Sequence, residues 1–91
     1  MPYIPDKKKR TELSMIVILV INALSRDNNV WGELNYFFTK VLHAVMNIIF
    51  KKSYFTIMCI MGTLVCVAFE FYRRIASPYE DIKIKENGDV V

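Results

Sequence analysis

"SYFTIMCIMGTLVCVAF", Ser53–Phe69, runs for 17 residues without a charge. Lys51-Lys52 precedes it, and Glu70, Arg73 and Arg74 follow it. At helical spacing Phe55, Met58, Cys59, Gly62, Val65, Cys66 and Phe69 share one face. Ile57, Ile60, Met61, Leu64, Val67, Ala68 and Phe71 share the opposite face. The spacing predicts a third helix over 54–75, opened by Ser53 as N-cap and stopped before Ser77-Pro78. A helix apolar on both faces needs cover on both. Its length stands at the lower edge of what spans a bilayer, and basic residues at both ends give no orientation.

Towards the N-terminus, Pro2 and Pro5 make residues 1–5 an extended lead-in, and Asp6 is the expected cap of a first helix over 7–25. Leu13, Ile16, Val17, Val20, Ile21 and Leu24 recur at helical spacing, while Met15, Ile18 and Leu19 fill the other side. Such a helix is expected to be buried, with Asn22 as a register-setting amide inside it. Ser25–Asn29 is a loop by composition. Gly32 opens a second helix over 33–51, with Glu33 at its positive end. Leu34, Phe37, Phe38, Val41, Leu42, Val45, Ile48 and Ile49 form its apolar stripe, and Lys40, His43 and Asn47 lie outside it.

Towards the C-terminus the chain turns polar: "EFYRRIASPYEDIKIKENGDVV", Glu70–Val91. After Pro78, Asp81 to Glu86 alternates polar and apolar, which reads as an extended segment, and Asn87-Gly88 is a turn signal. The expectation is an extended C-terminal arm over 77–91.

Ninety-one residues make one small domain with a modest core, burying about 60–65% of its unfolded surface. Yet 54% of the residues are hydrophobic and the mean hydropathy is +0.27. The excess must go into a partner subunit, a ligand pocket or a membrane. The expected architecture is therefore all-α: a single helical domain over 1–91, a three-helix bundle with an extended arm, sharing its third helix between subunits.

The chemistry-bearing residues are few. Cys59 and Cys66, seven apart on one helix face, are separated by about 10.5 Å and cannot bridge each other. With no cleavable signal at the N-terminus they fit a reducing compartment and read as small core residues. The net charge of +3 is concentrated in Lys7-Lys8-Lys9-Arg10, a solvated helix end. A broad basic stripe with interleaved aromatics is absent, so no nucleic-acid partner is expected. His43 stands alone, no Gly-rich phosphate loop is present, and the acids show no helical i,i+3 or i,i+4 pair for magnesium. No metal, cofactor or catalytic residue is expected. Candidate ligand-binding or interface residues are Glu33, Asn35 and Tyr36 at the second helix's start, and Glu70, Tyr72, Arg73, Arg74, Tyr79, Glu80 and Asp81. Glu70 can pair along the helix with both arginines, or an arginine can present a planar fork to a carboxylate or phosphate.

"MPYIP" at 1–5, "GELNY" at 32–36 and "EFYRRIASPYEDIKIKENGDV" at 70–90 resemble a family of small uncharacterised proteins from bacteriophage and metagenomic genomes, a domain of unknown function. Gly62 and Cys66 fall where that family's third helix tends to carry Gly and Cys. Val65 and Ala68 stand where relatives more often carry charge. The resemblance implies a soluble, all-helical protein and transfers no activity. The leading expectation is a non-catalytic phage-type accessory protein in the cytoplasm (the host's, if phage-encoded). It would assemble as a homodimer or higher oligomer, its arm clamping a neighbour, with a nucleotide-like anion held at a subunit interface. A single-span membrane protein anchored by 53–72 is the second expectation. A magnesium-dependent all-α nucleotide pyrophosphohydrolase is the third.

Overall fold

The computed structural model of the chain describes residues 4–90, of which 82% are helical and none is in a strand. The extended lead-in expected over 1–5 falls mostly outside those residues, though Ile4 and Pro5 do precede the first helix. Helix α1 is Lys7–Ala23, and the Asp6 carboxylate caps it by accepting from the amides of Lys8 (3.0 Å) and Lys9 (3.3 Å). Leu24 ends it in extended geometry. Helix α2 is Val30–Ala44, prolonged by a π-helical turn, Val45–Ile49, that closes with the Phe50 amide on the Val45 carbonyl at 3.0 Å. It starts three residues before the expected position. The Asp27 carboxylate takes the Asn29 amide at 2.9 Å and the Asp27 carbonyl takes the Val30 amide at 3.1 Å, a turn that launches the helix early.

Helix α3 is Tyr54–Phe71. Its start is held by Ser53, whose Oγ accepts the Thr56 amide at 3.1 Å. The helix then continues through a π-helical turn, Tyr72–Ala76, into α4, Ser77–Asn87. The extended arm expected over 77–91 is thus a helix up to Asn87, and Pro78 does not stop the rod. Two causes act together. A lone strand has no neighbour to take its amides and carbonyls, whereas a helix satisfies them locally. Pro78 falls in the first turn of α4, and the preceding π turn re-routes bonding, with the Ser77 amide reaching back to Tyr72. Gly88 ends α4 at φ +86°, ψ 154°, a conformation nearly confined to glycine, with its amide 2.8 Å from the Ile84 carbonyl.

Two units can be distinguished, one reaching to Met58 and one from Cys59 onward, so the division falls within α3. In the first, α1 and α2 meet at an open apolar groove lined by Leu19, Val20, Ala23, Leu24, Glu33 and Phe37. The second is the remainder of the long helical rod.

The expected bundle interior is missing among the described residues. No apolar side chain is buried, and Thr56, at 8% exposure, is the one buried residue. Asn22, expected inside a core, is exposed, as are Cys59 and Cys66. The helices form from local bonding and caps, while their apolar surfaces stay bare. That bareness is what any account of function must explain.

Candidate functional site

The first feature of interest is α3 itself. Eighteen residues at 1.5 Å rise make it about 27 Å long, close to the ~30 Å hydrocarbon core of a bilayer. The continuous rod Tyr54–Asn87 is, by length and composition, the one candidate membrane span among the described residues. A core helix of a water-soluble protein passes the same test but is mostly buried; here only 6% of the apolar window is buried. Exposed apolar residues point in every direction: Phe55, Met58, Val65 and Phe69 on one face, Met61, Leu64, Val67 and Phe71 on the other.

The two hydroxyls inside this stretch are closed on the backbone. Thr56 Oγ1 donates to the Lys51 carbonyl at 2.9 Å and accepts from Ser53 Oγ at 3.1 Å, and Thr63 Oγ1 donates to the Cys59 carbonyl at 2.8 Å. Thr63 is satisfied by its own helix and Thr56 by the turn that precedes it, so neither hydroxyl needs water, which is the condition for entering hydrocarbon. Tyr54 and Tyr72 flank the apolar stretch in sequence, and amphipathic rings of this kind are enriched at the ends of spanning helices.

The polar cluster lies at the C-terminal end of this helix. Glu70 accepts from Arg73 Nη2 at 2.7 Å and from Arg74 Nε. Tyr72 donates its hydroxyl to Glu80 Oε2 at 3.3 Å, eight residues on. In a regular helix positions eight apart diverge by about 80°, while positions seven apart nearly coincide. The extra residue of the intervening π turn restores the alignment. The Lys83 ammonium stands over the Tyr79 ring at 5.4 Å from its centroid and meets Glu86 at 3.1 Å. Asp81 is exposed. These residues form a ladder along one rod, and the arginine forks face the chain's own carboxylate.

Glu33, Asn35 and Tyr36 belong to the other unit. Glu33 Oε1 accepts from the Ser25 amide at 2.7 Å and Oε2 from the Ser25 hydroxyl at 2.5 Å, clasping the loop after α1 to the first turn of α2. The Ser25 hydroxyl, then the Ser25 amide, hold the Glu33 carboxyl below its ordinary range. Asn35 Oδ1 accepts from Thr39 Oγ1 at 3.4 Å, and the Lys40 ammonium lies 5.7 Å from the Tyr36 ring centroid. Sequence reasoning identified Glu33 but missed its partner, because the pairing depends on the loop's path. It also passed over Thr56 and Thr63, although a threonine inside an apolar run is itself a signal for back-bonding. Among the described residues no three of His, Cys, Asp and Glu converge in a way that could hold a metal ion.

The arrangement defines a small all-helical chain with an uncovered apolar helix and locally paired charges at its end. The chain belongs to the family described as a domain of unknown function (DUF6899), which matches residues 1–90. No curated protein and no solved structure matches it.

Proposed function

We propose that the protein is a non-catalytic, single-span membrane protein, with α3 crossing the bilayer and α4 continuing as a polar helix in the aqueous phase. The observation that carries this reading is a helix of bilayer length whose apolar residues are exposed on opposite faces and whose two threonine hydroxyls are bonded to backbone carbonyls, Thr63 to Cys59 and Thr56 to Lys51. A water-soluble oligomer sharing α3 would need some polar stripe to meet water at its rim, and Phe55–Phe69 supplies only Thr56 and Thr63, whose hydroxyls already donate to backbone carbonyls. Basic pairs at both ends, Lys51-Lys52 and Arg73-Arg74, suit headgroups. The role is then one of anchoring and assembly.

The second reading is a water-soluble homo-oligomer, which the missing core taken by itself also supports, since further copies can cover bare helices. In that reading Tyr72, Arg73, Tyr79, Glu80 and Asp81 clamp a neighbour, and a phage-type accessory role in a host cytoplasm rests on the sequence resemblance alone. Thiol accessibility in reconstituted vesicles separates the two. A membrane-impermeant maleimide leaves Cys59 and Cys66 unmodified in lipid and reacts with both after detergent unfolding. Rapid modification in intact vesicles rejects the span, and a protein that never partitions into vesicles supports the oligomer.

A further inference from the structure

We infer that α1 is a second membrane contact, a docking surface for anionic lipid headgroups. The inference rests on the single-span reading, because a chain already tethered by α3 offers α1 to the same surface at high effective concentration. Lys7, Lys8, Lys9 and Arg10 make up the first turn of α1 and all are exposed. The nearby acids are engaged. The Asp6 carboxylate takes the Lys8 and Lys9 amides, and Glu12 meets the Lys9 ammonium at 3.5 Å. Counting Asp6 to Glu12, four cations face two acids.

Beyond Glu12 no charge occurs until Arg26, and apart from the uncharged Ser14 and Asn22 the helix surface is hydrocarbon, with Leu13, Ile16, Val17 and Leu19 exposed. Polarity in α1 therefore changes along its axis, not around it. A protein groove covers one side of a helix and would leave the rest of this apolar surface in water. The gradient from headgroup to acyl chain matches the axial pattern, with the basic turn at the phosphates and Leu13 onward at the acyl boundary. The basic cluster selects the surface: several adjacent Lys and Arg gain substantially from anionic lipid and little from a zwitterionic one. Screening by salt is the corresponding signature.

The test uses the full chain carrying Trp31→Phe and Ile16→Trp, so that one indole reports on α1. It is reconstituted in brominated phosphatidylcholine vesicles with and without about 30% phosphatidylserine. Retention after alkaline carbonate washing scores α3 separately. The expected result is indole quenching at least about twofold stronger with phosphatidylserine, lost in high salt. It is also lost when Lys7, Lys8, Lys9 and Arg10 are all changed to Gln, with carbonate retention unchanged. Equal quenching in both vesicle types, or quenching that ignores the Gln substitutions, overturns the inference while leaving α3 standing. Release of the parent chain by carbonate overturns the span and the inference with it.

Discussion

Leu64→Lys puts an ammonium in the middle of α3. Leu64 is ten residues from Tyr54, about 15 Å along the axis and so near mid-depth of a ~30 Å core. It is 41% exposed, so a lysine there meets no packing obstacle. On the insertion scale the exchange of Leu for Lys at a helix centre costs about 3 kcal/mol, which reduces the spanning fraction's equilibrium constant roughly a hundredfold. In water the same exchange at an exposed position changes stability by about 0.5 kcal/mol or less. A spanning α3 and an α3 left bare in water therefore differ by nearly two orders of magnitude. Ile84→Lys is the matched control, also 41% exposed but on α4 beyond the span. The assay is insertion into microsomes, with a glycosylation acceptor at each end of α3, one of which is modified when the helix spans. Leu64→Lys should lose the spanning form and Ile84→Lys should keep it. Wild type and Leu64→Lys inserting within twofold of each other would refute the reasoning.

Three further outcomes follow from local geometry. The Ser25 donors lower the Glu33 pKa, so the clasp contributes in full above the ordinary glutamate value of 4.5 and is lost as pH falls through the lowered one. Carbon-detected NMR should give a Glu33 midpoint below 4.5 that rises in Ser25→Ala; a parent midpoint at or above 4.5 would contradict this. Glu70→Ala should change amide exchange at Arg73 and Arg74 by only about twofold, because the arginines are 63% and 52% exposed and such pairs contribute about 0.5 kcal/mol; a change of tenfold or more would mean the cluster is desolvated. Gly88→Ala should raise local opening of the last α4 turn by about tenfold, since φ +86° with ψ 154° costs other residues of order 1–3 kcal/mol. Unchanged exchange at that amide would show that the terminus does not hold this geometry.

Much of the local structure was legible in the residues. The Asp6 and Ser53 caps, the 25–29 loop and the starts of α1 and α3 follow from side-chain chemistry near in sequence. The C-terminal arm was misread because Asp81–Glu86 alternates with period two, and that signal competes with helical pairing. The i,i+3 contact of Lys83 with Glu86 and the i,i+4 contact with Tyr79 belong to a helix, and no partner strand exists among the described residues. The π turns escaped because they shift backbone register without a side-chain signature, yet one of them aligns Tyr72 with Glu80. For the candidate site, the Glu70–arginine pairing was readable from spacing. The Ser25–Glu33 clasp was not, since it depends on a loop. The surplus of apolar surface was plain from composition, but its location was not. Sequence periodicity says which faces are apolar, not whether protein or lipid covers them.

The central claim is that lipid, not a protein interior, covers α3. Fractionation of the unmodified chain without detergent tests it most directly, with an alkaline carbonate wash followed by sedimentation of the supernatant. The account predicts that the protein stays with the membrane pellet and leaves it only in detergent. Recovery of a folded, monodisperse, water-soluble species in the supernatant would contradict it.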